Sequence, residues 1–190
     1  MRRERRGRRW RIIVSLTVLL CAFIVREVAA SDDPRIARIR GWYLAAEKSL
    51  SRSRVVRRDL AEFSSQGGAL TAYFSGDTLT KLDANFYVER GRVTDDVWLR
   101  DDSVYFVSHI VGKYDRSMDG RISHRVQYRL YVAHDTLIRW IDTTGEQLPL
   151  QNPAAGAEAT RALGLARVLM RCATSEGPAE ACLAPSKDSL

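Results

Sequence analysis

The chain has 190 residues, 45% of them hydrophobic, and a formal charge of +7. That charge is concentrated: residues 1–30 hold eight arginines and two glutamates, leaving 22 basic against 21 acidic side chains in the rest. A near-neutral body of this size suits one domain with a real core and excludes nucleic acid as a partner read from net charge, because phosphate binding needs a basic surface that survives processing.

A basic stretch from Arg2 to Arg11, an apolar run from Ile12 to Val25 and then Val28-Ala29-Ala30 follow one another in the order of a secretory signal peptide. The run is shorter than the roughly 18 apolar residues of a membrane span. Val28 and Ala30 are small enough for the −3 and −1 pockets of a signal peptidase, which predicts cleavage before Ser31 and a periplasmic or secreted protein. The alternative is an uncleaved N-terminal anchor at the inner membrane; membrane contact is otherwise confined to export. Cys21 leaves with the leader. Cys172 and Cys182 remain, and an even count in an oxidising compartment predicts a disulfide. Two cysteines without neighbouring ligands cannot complete a zinc tetrahedron.

Asp33-Pro34 opens a helix, since proline lacks the N–H that the first helical position leaves unused. Apolar residues recur at Ile36, Ile39, Tyr43, Ala46 and Leu50, then at Val56, Leu60 and Phe63, which is helical spacing. Gly41 and residues 51–53 are points where this helix could bend, and residues 64–68 end it. The period then falls to two. Leu70, Ala72 and Phe74 share a face, as do Leu82, Ala84, Phe86 and Val88, then Val93, Val97 and Leu99, then Val104, Phe106 and Ile110. Val126, Tyr128, Leu130 and Val132 form a fifth strand, and residues 136–142 a sixth. Gly76-Asp77, Arg90-Gly91-Arg92, Asp101-Asp102 and His134-Asp135 mark turns between them. Residues 147–156 read as a linker, residues 157–171 as a second helix, and residues 184–190 as a disordered tail.

The expected organisation is a signal peptide over residues 1–30 and a single α+β domain over residues 31–183. In that domain the N-terminal helix packs on the aliphatic face of an antiparallel meander of about six strands, and a C-terminal helix follows. The hairpins around Gly76-Asp77 and His134-Asp135 echo each other: Tyr73 to Leu79 and Tyr131 to Leu137 each read aromatic strand, turn, leucine.

These segments, residues 68–91 and 128–145, and the closing strand Leu137-Ile138-Arg139-Trp140 resemble a pattern in exported bacterial β-rich proteins of unknown function. The resemblance covers the sheet. It implies a secreted or periplasmic β-rich domain with no assigned activity.

Candidate chemistry is sparse. Asp115, Ser117 and Asp119 with Gly120 match the first half of a calcium loop, but Val126 stands where the bidentate glutamate belongs and strands replace the flanking helices. A hairpin loop with Asp-Gly turn chemistry is the simpler reading, so no metal and no cofactor are expected. Ser108 and His109 are adjacent and face opposite sides of a strand, as do Asp95 and Asp96. No nucleophile-elbow, zinc-protease or phosphate-loop motif is present, and no catalytic residue is nominated. Tyr73, Tyr87, Trp98, Tyr105, Arg129 and Tyr131 alternate away from the aliphatic positions. They could form a face that binds a protein, peptide or glycan of the cell envelope, or they could pack beneath the second helix. The leading expectation is an exported, non-catalytic binding module. The alternative is an envelope hydrolase using Asp83, Asp95, Asp96 and His109.

Overall fold

The computed structural model describes residues 33–115, 120–175 and Cys182. The leader over residues 1–30, Ser117, Asp119 and the tail over residues 184–190 lie outside the described residues. The chain divides into two units, Met1–Pro34 and Arg35–Leu190; of the first, only Asp33 and Pro34 are described.

Helix α1 (Pro34–Ser49) buries Ile36 and Ile39 and half-buries Tyr43 and Ala46, the stripe expected from their spacing. It stops earlier than that spacing suggests. A 3-10 turn over Leu50–Arg52 leads to Ser53 in an extended conformation, and Arg54–Asp59 is strand β1 rather than more helix. Val56, Leu60 and Phe63 are helically spaced, but Val55 and Val56 are β-branched and favour a pleated backbone. The ladder from Arg54 to Asp59 against Phe74 to Ala69 satisfies their backbone groups. Three arginines on this edge strand discourage pairing with another chain.

β2 (Gly68–Ser75), β3 (Thr78–Val88), β4 (Gly91–Arg100), β5 (Ser103–Tyr114), β6 (Ile122–Ala133) and β7 (Thr136–Ile141) continue the antiparallel meander. A two-residue β8 (Gln147–Leu148), inside the expected linker, completes a sheet of eight strands in sequence order. The count differs from six because the end of the expected helix and the start of the expected linker are both strands.

The three hairpins at one end of the sheet share a construction that the sequence showed in only two. Each has a two-residue turn, two paired positions, then an extra residue in the outgoing strand: Thr80 in β3, Tyr105 in β5 and Ile138 in β7. Asp101-Asp102 and His134-Asp135 all have positive φ, which short polar side chains tolerate best and tight hairpins require. Each extra residue reverses the facing of the residues after it. In β5, Val104 and Val107 therefore lie on one face, while Phe106, Ser108 and Ile110 lie on the other. The alternation placing Phe106 and Ile110 with Val104 is corrected by this bulge.

Each face is covered by the helix opposite to the expected one. Helix α2 (Pro153–Thr174) covers the aliphatic face, where Leu70, Leu82, Val97, Val107 and Leu130 are at most 1% exposed. Its buried stripe includes Ala155, Ala162, Ala166 and Ala173, small residues that let helix and sheet approach closely around Leu163 and Leu169. The helix starts at Pro153, four residues before the expected position, because the Asn152 side chain accepts a hydrogen bond from the Ala154 N–H at 3.0 Å and caps it. Near its end, Cys172 and Cys182 come together with Cα atoms 5.0 Å apart and sulfurs at bonding distance.

Helix α1 covers the aromatic face instead. Tyr43 meets Trp98 and Phe106 edge-on at 5.1 and 5.4 Å, Trp42 meets Tyr105 at 5.5 Å, and Phe106 meets Tyr131 at 5.0 Å. Edge-to-face ring pairs of this kind add about 0.5–1.5 kcal/mol each beyond the area they bury, which favours α1 on this face.

Candidate functional site

Helix α1 seals only the hairpin end of its face, over Trp98, Tyr105, Phe106, Tyr131 and Ile141. Two residues further along the strands the side chains turn polar. Asp83, Asp96, Ser108 and Arg129 stand in register across β3, β4, β5 and β6. Here the space between helix and sheet opens into a cleft of about 510 Å³. Arg40, Tyr43, Leu44 and Glu47 of α1 form one wall, and Ser108, Ile110 and Gln127 belong to the strand floor. A second hollow of about 360 Å³ shares Asp96, Ile110 and Arg125 with the first and extends it past Asn85, Thr94 and Gly112. A Cβ at Gly112 would come within 2.9 Å of the end of the Ile122 side chain, which would have to shift.

The polar groups near the helix hold one another. Buried Trp98 donates its indole N–H to Glu47 at 2.9 Å, and Lys81 Nζ lies 3.6 Å from the same carboxylate and 4.7 Å from the Trp98 ring centre. Gln127 donates to the buried Ser108 hydroxyl at 2.9 Å, and Thr94 to Asn85, which donates in turn to Asp83, both at 2.8 Å. Among the described residues Asp96 has no such donor. Burial, and then the neighbouring Asp83 carboxylate, push its pKa up to about 6, with Lys81 acting in the opposite sense. Burial, and then Glu47, raise the Tyr43 hydroxyl, and burial likewise raises Tyr105.

A second charged cluster lies on the opposite face. Asp95, 1% exposed, accepts from Arg161 of α2 at 3.2 Å and sits 2.9 Å from His109 Nδ1. Burial opposes the charge of Arg161, but its hydrogen bonds to Glu158 and the charge of Asp95 outweigh that and raise its pKa. His109 stacks parallel to Tyr128. Asp95 Oδ2 has no hydrogen-bond partner. No hydroxyl or thiol hydrogen-bonds to His109 among the described residues, so this cluster lacks the nucleophile of a catalytic triad and clamps α2 to the sheet.

The sequence-nominated residues divide accordingly. Trp98, Tyr105 and Tyr131 are 3, 4 and 6% exposed under α1, so they do not form an open platform. Trp98, Tyr131 and half-buried Arg129 border the cleft, whereas half-buried Tyr73 and Tyr87 do not. Asp83 and Asp96 reach the groove, while Asp95 and His109 lie behind the sheet, so the four do not converge. The Asp115 N–H donates to the Arg121 carbonyl at 2.8 Å; its proposed co-ligands Ser117 and Asp119 are outside the described residues. Among the described residues no group of three or more His, Cys, Asp or Glu side chains could hold a metal ion. None of their helices is long and apolar enough to cross a membrane.

Sequence reasoning missed Glu47, Lys81, Arg125, Gln127 and Arg161. Glu47 had a usable signal, being one helical turn beyond Tyr43 on the same face. The chain matches no family model, no curated protein and no solved structure.

Proposed function

We propose that this protein is an exported, non-catalytic binding module that takes its ligand in the groove between α1 and strands β3 to β6. The observation that carries the reading is the cleft of about 510 Å³, within the size range of small-ligand sites. It combines an apolar wall with charged side chains of both signs. The leader sequence supports export with cleavage before Ser31. The paired Cys172 and Cys182 suit an oxidising compartment, where they form a disulfide that ties the chain after α2 to the helix end.

Two measurements test this reading. N-terminal sequencing of protein expressed with its own leader is expected to begin at Ser31; a Met1 start would mean a retained leader. A thermal-shift screen of envelope metabolites, glycans and short peptides is expected to yield compounds that stabilise the wild type. The same compounds should leave Ile110→Trp, which fills the floor of the cleft, unshifted. Absence of any stabilising compound, or equal shifts in both proteins, contradicts binding in the groove.

One observation favours a second reading. Asp96, titrating near 6 beside the Asp83 carboxylate, has the protonation behaviour of a general acid paired with a charged partner. A hydrolase built this way would use Asp83 and Asp96 without Asp95 or His109. Turnover of a glycan or peptide substrate that Asp96→Asn abolishes and His109→Ala spares would establish it.

A further inference from the structure

We propose that the ligand is a short peptide of about three residues with free termini, its ammonium set against Asp96 and Asp83 and its carboxylate against Arg129 and Arg125. This rests on the groove being a binding site and adds the chemistry of what enters it. The argument begins with register. The two carboxylates project from neighbouring β3 and β4, the two guanidinium groups from β6, and β5 between them offers Phe106, Ser108, Ile110 and Gly112, none of them charged.

Strands about 4.8 Å apart place β4 and β6 about 10 Å from each other. That is the separation of the backbones; the longer arginine side chains reach into the same hollow, where Arg125 lies with Asp83 and Asp96. Arg125 and Arg129 make no side-chain hydrogen bond or ion pair among the described residues, and no ion pair joins either to Asp96. Lys81, whose charge acts on Asp96, is held by Glu47 and the Trp98 ring. Asp96 is therefore a desolvated carboxyl short of a cation, and a ligand ammonium would supply one.

The spacing selects among dipolar ligands. A free α-amino acid carries its two charges on either side of a single carbon and cannot reach both ends. Three extended residues span about 10 Å. A polyamine or a simple anion would satisfy one end and leave the other unpaired. Along the groove, Leu44 is 58% exposed, one of the few large apolar side chains left open to water among the described residues, and it offers with Tyr43 and Phe106 a surface for the peptide's own side chains.

The test is calorimetric titration of the exported protein with trialanine, N-acetyl-trialanine, trialanine amide and the doubly blocked peptide. Trialanine is expected to bind, and each block to weaken binding by about tenfold, the usual loss of one charge-assisted contact. Asp96→Asn should abolish the penalty for acetylation and keep that for amidation, and Arg129→Gln should do the reverse. Arg125→Gln serves as a second variant at the carboxylate end, and thermal melts verify that each variant folds. Undetectable binding of trialanine, equal binding of free and blocked peptides, or block penalties that the variants leave in place overturns the proposal. If the doubly blocked peptide binds as well as trialanine and Ile110→Trp abolishes both, the groove stands as a site and only the dipolar assignment fails. If Ile110→Trp leaves trialanine binding intact, both readings fail.

Discussion

Asp96→Asn should make the protein more stable at neutral pH. Burial and the Asp83 carboxylate raise the Asp96 pKa from 3.8 to about 6. A carboxyl whose folded pKa exceeds its unfolded value stabilises the fold fully below the unfolded value, and this contribution is lost as pH rises through the folded one. The window is therefore about pH 4 to 6, with the cost of the buried charge complete above it. Each tenfold change in proton affinity is worth about 1.4 kcal/mol, giving a ceiling of about 3 kcal/mol; because solvent still reaches the groove, about 2 kcal/mol is expected. Asparagine resembles the protonated acid in shape and cannot ionise. Urea unfolding of both proteins at pH 4 and pH 7.5 measures the effect, and subtracting one from the other cancels the carboxylates they share. The difference should shift by about 2 kcal/mol in favour of the variant on going to pH 7.5. A difference that stays constant within about 0.5 kcal/mol would refute the argument that Asp96 is desolvated and short of a cation.

The clamp behind the sheet should respond in the opposite sense. Asp95→Ala removes the buried carboxylate shared by His109 and Arg161; Arg161 keeps Glu158 and stays partly solvated, so the loss should be about 1–3 kcal/mol in chemical denaturation, whereas Arg167→Ala, whose ion pair with Asp135 is exposed, should change stability by less than about 1 kcal/mol. Reduction of the exported protein should raise its mass by two hydrogen atoms and, for a loop this short, lower its stability by roughly 2–3 kcal/mol; Cys182→Ser should reproduce that loss. Asn152→Ala removes the cap of α2 and should cost about 1 kcal/mol, read as a small decrease in the denaturant midpoint.

Much of the fold was legible because the signals were local. Alternation in Leu70-Ala72-Phe74 and Leu82-Ala84-Phe86 identified strands and their apolar face, and Asp101-Asp102 and His134-Asp135 identified turns by their polar, backbone-bonding residue types between strands. Where signals depended on partners, the reading failed. Val56, Leu60 and Phe63 have helical spacing, and only the ladder with β2 makes Arg54–Asp59 a strand. The extra residue at Tyr105 cannot be seen in β5 alone, because it exists only relative to β4, yet it decides that Phe106 and Ile110 face α1. Asn152-Pro153 was a readable helix start that linker composition obscured.

The site was legible in part for the same reason. Separating Asp95 from Asp96 needs only the two-residue period of a strand, and that separation distinguishes the groove from the buried clamp. What brings Asp96 opposite Ser108, and Ser108 opposite Arg129, is long-range register. Which helix covers which face depends on ring-to-ring packing between Tyr43, Trp98 and Phe106, which no spacing rule encodes. Arg161 could not be tied to Asp95 because 66 residues separate them.

The central claim is that ligands enter the groove on the α1 face. Methyl-resolved NMR of the exported protein, titrated with trialanine, tests it directly because the two faces carry different methyl groups. The account predicts shifts at Ile39, Leu44 and Ile110, with Leu70, Leu82 and Leu130 under α2 unmoved. Shifts confined to the residues under α2, or saturable binding that leaves Ile110 unchanged, would contradict it.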